Sequence, residues 1–329
     1  MADLNELNNK VNEAEKKATS PANKTKKKKY EFDFDELRMY FGEPYDIVLE
    51  DGKIIRIKQP TIGDMLELGE NRIYGTITPF TTNTTAYRVQ LWDMGIDWNK
   101  YSDFELFTIL ATSLKKEDTD LIFEGIEYYL NPNYNEELSE EENYENGQLK
   151  YLQATWDIDF QKLRPYMKPK LDESGEFILN EKEEPEQELV LYAYDEVNDD
   201  GFLLDEKTYL HIHEYLCTLF DQHPKEEFVK GKTTKEWVID DERRKQAKLK
   251  NENKNKSFLL PLVSGLVNHP GFKYKTNELK EVGIYQFMDS VKRLQIYEQS
   301  IALLQGSYSG MIDTSKIDQE NFNWLRSIK

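Results

Sequence analysis

The chain has one cysteine in 329 residues, Cys217, which excludes an intramolecular disulfide framework. It has no run of about 18 apolar residues that could span a bilayer and no apolar signal region at its start, so a soluble protein of intracellular origin is expected. Catalytic signatures are missing as well: there is no G-x-x-x-x-G-K-[ST], no strand-borne G-x-G-x-x-G and no H-E-x-x-H. The look-alike "GSYSG" (306–310) places Tyr308 where a nucleophile elbow needs serine, and so has no nucleophile. Net positive charge is also lacking. With 43 basic and 62 acidic residues the chain stands at −19, a field that repels nucleic-acid phosphates. So many acids make any single carboxylate pair uninformative about glycosidase or metal-dependent chemistry.

What is present is aromatic and unevenly charged. An aromatic share of 12% (20 Tyr, 16 Phe, 5 Trp) can furnish a real core. Residues 1–30 hold eight lysines and four acids, hence +4 against −23 for the rest. Few large apolar residues precede Tyr30, so 1–30 reads as a disordered basic tail, a flexible extension or one that docks on an acidic surface.

Beyond the tail, Ile47–Leu49 and Ile55–Ile57 flank Asp51-Gly52, a dipeptide that tolerates φ > 0, and predict a β-hairpin ended by Pro60. Thr61 with Asp64 forms an acidic capping box for a helix over 61–69. Ser102 with Glu105 starts another helix, and "TDLIFEGIEYYL" (119–130) reads as a third, stopped at Asn131-Pro132-Asn133. Residues 135–147 are acidic and loop-like, and short strands are expected near 176–179 and 188–194. Helices follow at about 205–221 and 234–250. The apolar window 257–272, broken by Pro261, Gly265 and Pro270, predicts a buried helix. Ile284, Phe287, Met288, Val291, Leu294, Tyr297, Ile301 and Leu304 form the longest amphipathic stripe, on a helix from about 282 to 305 that is expected to pack on 257–268. Trp324 is expected to fix the terminal element. The fold class is therefore α+β, mostly α: an N-terminal β-hairpin, then a helical bundle with a small β insert. The boundaries are a tail at 1–30, a hairpin plus helical domain at 31–134, an acidic insert with short strands at 135–205, and a C-terminal helical domain at 206–329.

Two constellations could carry chemistry or recognition. In "HIHEYLC", His213 and Cys217 share a helical face at i,i+4, with His211 pointing elsewhere and His223 following near the helix end. These four are candidate metal ligands; the competing reading is core packing for Cys217 and cap or surface roles for the histidines. "GIDW" (95–98) and "WDID" (156–159) place Trp98 and Trp156 beside aspartates, as half-buried core anchors or as lining of a binding surface.

The unit "DGKIIRIKQPTIGDMLEL" (51–68), followed by "GIDW…DFELF", resembles the opening of tail assembly chaperones and related small assembly proteins of tailed bacteriophages infecting low-GC bacteria, and 285–325 is similar to the same proteins. The chain departs from them in its length, in 135–205 and in the basic tail. The resemblance implies a non-enzymatic role without cofactors: binding hydrophobic helices of a tape-measure protein, or occupying a position in the tail or baseplate. It implies partners among those proteins rather than nucleic acid or membrane, and residence in the host cytoplasm during assembly or in the virion. Candidate partner-binding residues are Ile62, Met65, Glu67, Leu68, Trp98 and Trp156, and a partner groove is expected where the C-terminal bundle meets 47–68. Two other classes compete: a metal-binding or enzymatic protein centred on 211–223, and an acidic host-directed inhibitor that mimics nucleic acid.

Overall fold

A computed structural model describes residues 30–172, 174–180, 182–195, 200–252 and 256–328. The basic tail, apart from Tyr30, lies outside the described residues. The elements begin with α1 (Glu36–Tyr40), β1 (Tyr45–Val48), β2 (Ile54–Ile57), α2 (Ile62–Leu68), α3 (Glu70–Thr81), α4 (Arg88–Asp93) and α5 (Asp103–Leu110). Next come α6 (Lys116–Thr119), β3 (Phe123–Leu130), α7 (Glu140–Glu145), β4 (Tyr151–Trp156), β5 (Arg164–Pro169), β6 (Gln187–Asp195) and β7 (Asp200–Leu204). Four helices complete the order: α8 (Glu206–Leu219), α9 (Lys232–Glu252), α10 (Leu259–Asn268) and α11 (Ile284–Tyr308). The fold is α+β with more helix than strand and an N-terminal antiparallel sheet. It forms two compact units, a larger one of Phe32–Thr81, Phe107–His223 and Lys256–Lys329, and a smaller one including Thr82–Leu106 and the described part of Pro224–Asn255.

In the larger unit the hairpin forms as read: Gly52 takes φ 87° and β1 pairs with β2 in the register Tyr45↔Ile57. The segment 119–130 corrects the helical expectation, because only α6 is helical and Phe123–Leu130 is a strand. Its β-branched and aromatic residues pair with β2 (Ile57↔Phe123), and tertiary pairing overrides a spacing that fits either structure. β4, drawn from the stretch read as an insert, completes the sheet in the order β1-β2-β3-β4.

β5-β6-β7 form a second antiparallel sheet. The strand expected at 176–179 is absent; only isolated bridges, Leu171↔Phe177 and Leu179↔Pro185, close two turns of one design. Asp172 Oδ1 accepts from the N–H of Ser174 and Glu176, and Asn180 Oδ1 accepts from the N–H of Lys182 and Glu184. Gly175 and Glu183, eight residues apart, occupy the left-handed position of each turn. The side-chain acceptors shape the turns, and the backbone bonds beside them, Ile178 N–H to Lys170 O and Glu186 N–H to Ile178 O, are too few to make a strand.

The core centres on Phe80, whose ring lies 4.9, 5.0 and 5.1 Å from those of Phe107, Phe123 and Phe160. Ile55, Ile57, Ile77, Ile212 and Leu216 are buried around it. Burying such a side chain fully contributes about 1.5–3 kcal/mol.

The Thr61/Asp64 capping box starts α2 as expected. Beside it the backbone of 60–62 joins that of 282–284: Ile62 N–H donates to Val282 O (2.9 Å) and Ile284 N–H donates to Pro60 O (3.0 Å). Glu70, at the start of α3, accepts from Ser257 Oγ and from the N–H groups of Phe258 and Leu259, so a carboxylate satisfies the free donors at the α10 N-terminus. α10 is not the buried helix its composition suggested. It buries Leu259 and Leu266, seven residues apart, and leaves Phe258 and Leu260 exposed.

On α11, Ile284, Phe287 and Met288 are buried, Val291, Leu294, Ile301 and Leu304 are half-buried, and Tyr297 is exposed. The principal partners of α11 are α1, α8 and the 3-10 turn Gln319–Phe322, rather than α10. Ser300 Oγ donates to Asn321 O, Arg293 donates to the carbonyls of Trp324 and Arg326, and Trp324 meets Tyr297 edge-on at 5.7 Å. The end is fastened as the sequence suggested.

The smaller unit carries ion pairs beside its apolar contacts. Arg88 pairs with Glu227 (2.6 Å) and Glu242 (2.7 Å), Lys235 with Asp97 (2.6 Å), and Arg243 with Asp93. Val89, Leu91, Trp98 and Ile239 are buried.

Candidate interaction surface

The residues singled out on the hairpin–helix unit divide by burial. Ile62 and Met65 are buried beneath α2, Leu68 is half-buried, and Glu67 is exposed. The two apolar candidates therefore serve α2 packing in this structure, and Glu67 faces solvent. Trp98 is 1% exposed, edge-on to Trp92, with Lys235 Nζ 5.5 Å from its ring. Trp156 is buried too, its Nε1 donating to the carbonyls of Ile54 (3.2 Å) and Ile126 (3.1 Å). Each indole anchors the unit it belongs to.

The His/Cys cluster has a structural explanation. α3 ends at Thr81, leaving carbonyls without helical partners. His213 Nδ1 lies 2.6 Å from Phe80 O and donates to it, and Cys217 Sγ, 3.7 Å from Thr81 O, donates to the next carbonyl. The i,i+4 pair does meet, with Sγ 3.7 Å from His213 Nε2, and it caps α3. His223 is exposed, 3.7 Å from Asp221. No group of three or more His, Cys, Asp or Glu side chains able to hold a metal ion exists among the described residues.

His211 points elsewhere, as its spacing implied. Its ring stacks on Phe32 at 4.3 Å and its Nε2 bonds Tyr45 Oη at 2.8 Å, while Tyr45 stacks on Tyr215 at 4.4 Å. This aromatic stack fastens residues 32–34 to α8. Burial, with Lys207 adding to it, holds the His211 pKa below its ordinary value. The unfolded chain therefore binds a proton at this site more readily than the native one, and stability contributed by neutral His211 is lost as pH falls below about 6.5. Denaturant titrations across that range should show a decline that His211→Gln flattens; equal slopes in both proteins would remove His211 as the cause.

The surface that sequence reasoning missed is carried by β3 and β4. β2 pairs with β3 only as far as Ile126, whereas β4 pairs with it to Leu130. Glu127–Leu130 and Tyr151–Ala154 thus form a two-stranded ribbon with no third strand among the described residues. Side chains alternate along a strand, so both faces of this ribbon meet solvent, and Tyr128 (51%), Tyr129, Leu130 and Tyr151 (56%) are all exposed. Contiguous apolar exposure next to an unpaired strand edge marks an interaction site. "FEGIEYYL" did hold the signal: Phe123, Ile126, Tyr128 and Tyr129 are β-branched or aromatic residues that favour a strand over a helix.

No helix among the described residues is long and apolar enough to cross a membrane. Comparison with protein families matches residues 250–329 to the family described as YomV second domain. The match covers 80 of the 329 residues. No curated protein matches, and no solved structure does.

Proposed function

We propose that the chain is a non-enzymatic bacteriophage protein that acts in tail assembly or as a virion-associated interaction component. The observation that carries its phage part is the match of 250–329 to the second domain of YomV, a Bacillus phage-type protein. The exposed β3–β4 ribbon supports it, because an unpaired edge with aromatic side chains suits capture of an apolar segment of a tape-measure, tail or baseplate protein. Main-chain hydrogen bonds along the edge would give affinity, and Tyr128 and Tyr151 would select apolar side chains. The test is co-expression with tail proteins of the phage that encodes the chain, combined with mass spectrometry of purified virions. Co-purification lost in Tyr128→Ser/Tyr151→Ser, with an unchanged circular dichroism spectrum, is the expected result. A chain absent from virions that ignores every tail protein would end the proposal.

A further inference from the structure

We infer that the protein forms a two-fold dimer in which the outer edges of β4 from two copies pair antiparallel and join their four-stranded sheets into one. This edge lies on the side of the ribbon away from the one β2 leaves open, and the inference does not depend on the phage reading. Among the described residues the two sheets end in four edge strands, β1, β4, β5 and β7. Three of them carry devices that keep edges from pairing. β1 is only four residues long and holds Asp46, β5 has Pro165 and Pro169 with Arg164 and Lys168, and on β7 the Lys53 ammonium sits on the Gly201 carbonyl at 2.8 Å. β4 has none of these. Tyr151–Trp156 contains no charge, proline or glycine, in a chain of which 32% is charged, and it pairs with β3 without a bulge.

The phase of the ladder shows which backbone groups of β4 are free. Asn131 N–H donates to Lys150 O across the β3 side, so the alternate residues Tyr151, Gln153 and Thr155 direct N–H and C=O outward. No loop or side chain among the described residues takes these groups, and all three side chains are exposed. The three are symmetric about Gln153, and a second copy related by a two-fold axis there presents the same three in reverse order. Gln153 then meets its own equivalent, Tyr151 meets Thr155 and, on the other face, Leu152 meets Ala154. Larger side chains face smaller ones, the two amides can bond each other, and about six main-chain hydrogen bonds form. Charge agrees at the ends. Lys150 lies over the Tyr134 and Tyr151 rings and has no ion-pair partner among the described residues. The pairing brings it beside Asp157 of the other copy, an exposed carboxylate that shares Lys116 with Asp120. A parallel arrangement would set like ends together. Because the contact is isologous it closes at a dimer, and one strand pair buries less than the roughly 1,200 Å² of a standard interface, so association is weak.

Sedimentation velocity of the full chain from about 5 to about 500 µM tests this. A concentration-dependent dimer with no larger species is expected. Two copies of net charge −19 repel each other, so raising salt from about 50 to about 500 mM should maintain or strengthen the dimer. Residue 153 meets itself at the axis. Gln153→Lys therefore sets two like charges opposite each other and should weaken dimerisation about tenfold or more, as should Gln153→Glu, both with native circular dichroism. Mixing these two variants should restore a dimer, since unlike charges then meet. A wild type that is monomeric throughout the range overturns the inference, as does a dimer that survives Gln153→Lys or a mixture that does not recover. If the wild type stays monomeric and Gln153→Lys instead blocks capture of a tail protein, the edge belongs to that partner and the inference is equally overturned.

Discussion

Replacing Gly125 with alanine is expected to lower the unfolding free energy by about 2–3 kcal/mol, because overpacking a filled site forces neighbours out of their rotamers. Gly125 faces Trp156 across the β3–β4 ladder. A Cβ built on it would lie 2.7 Å from the indole Cδ2, 2.8 Å from Cε2, and closer still to the Trp156 carbonyl oxygen. The indole cannot simply swing away, since its Nε1 is held by the carbonyls of Ile54 and Ile126. Relief must come from parting the strands or from stranding a buried donor, and either is costly. Urea titration followed by tryptophan fluorescence measures the loss. Gly265→Ala on α10, where added volume meets nothing within 4 Å, is the control and should be neutral or slightly stabilising. Equal effects at the two glycines would show that the indole is not seated over Gly125.

Phe287→Asp should be more damaging, at about 3–5 kcal/mol, since it combines the loss of a buried ring with a charge left unpaired. Phe287 is fully buried on the first turn of α11, whose backbone is tied to Pro60 through Ile284. Circular dichroism should show lost helix, and limited proteolysis should open the chain near 270–310 before any other described segment. Phe287→Leu should keep the fold, and Glu67→Lys, on exposed α2 surface, should leave stability unchanged. Native-like spectra and protease resistance in Phe287→Asp would contradict the placement of α11.

What the residues disclosed by themselves was local. Thr61 with Asp64 and Ser102 with Glu105 announce helix starts because the capping groups lie three residues apart, and both boxes form. Ser139 and Glu142 obey the same rule inside a stretch read as loop; the surrounding acids obscured it. The spacing of His213 and Cys217 did predict their contact, but their role depends on the carbonyls of Phe80 and Thr81, more than 130 residues away. The fate of 119–130 likewise turned on whether β2 was there to pair with. The exposed ribbon was harder still to foresee, because it consists of an absence, the third strand that stops at Ile126.

The bond from Glu70 to the start of α10 spans 187 residues, and the pairing of Pro60 with Ile284 spans more. During synthesis, 257–284 closes on a segment made well before it. Until 257–284 is available, the Glu70 carboxylate, the Pro60 carbonyl and the Ile62 N–H have no native partners, and the hairpin–helix unit waits half-satisfied. Closing so large a loop costs more entropy than forming the local helices, and contacts of such sequence separation slow folding. Residues 250–329 expressed alone would lack the carboxylate that caps α10 and the backbone that α11 is tied to. The segment is separable in sequence comparison and interdependent in folding.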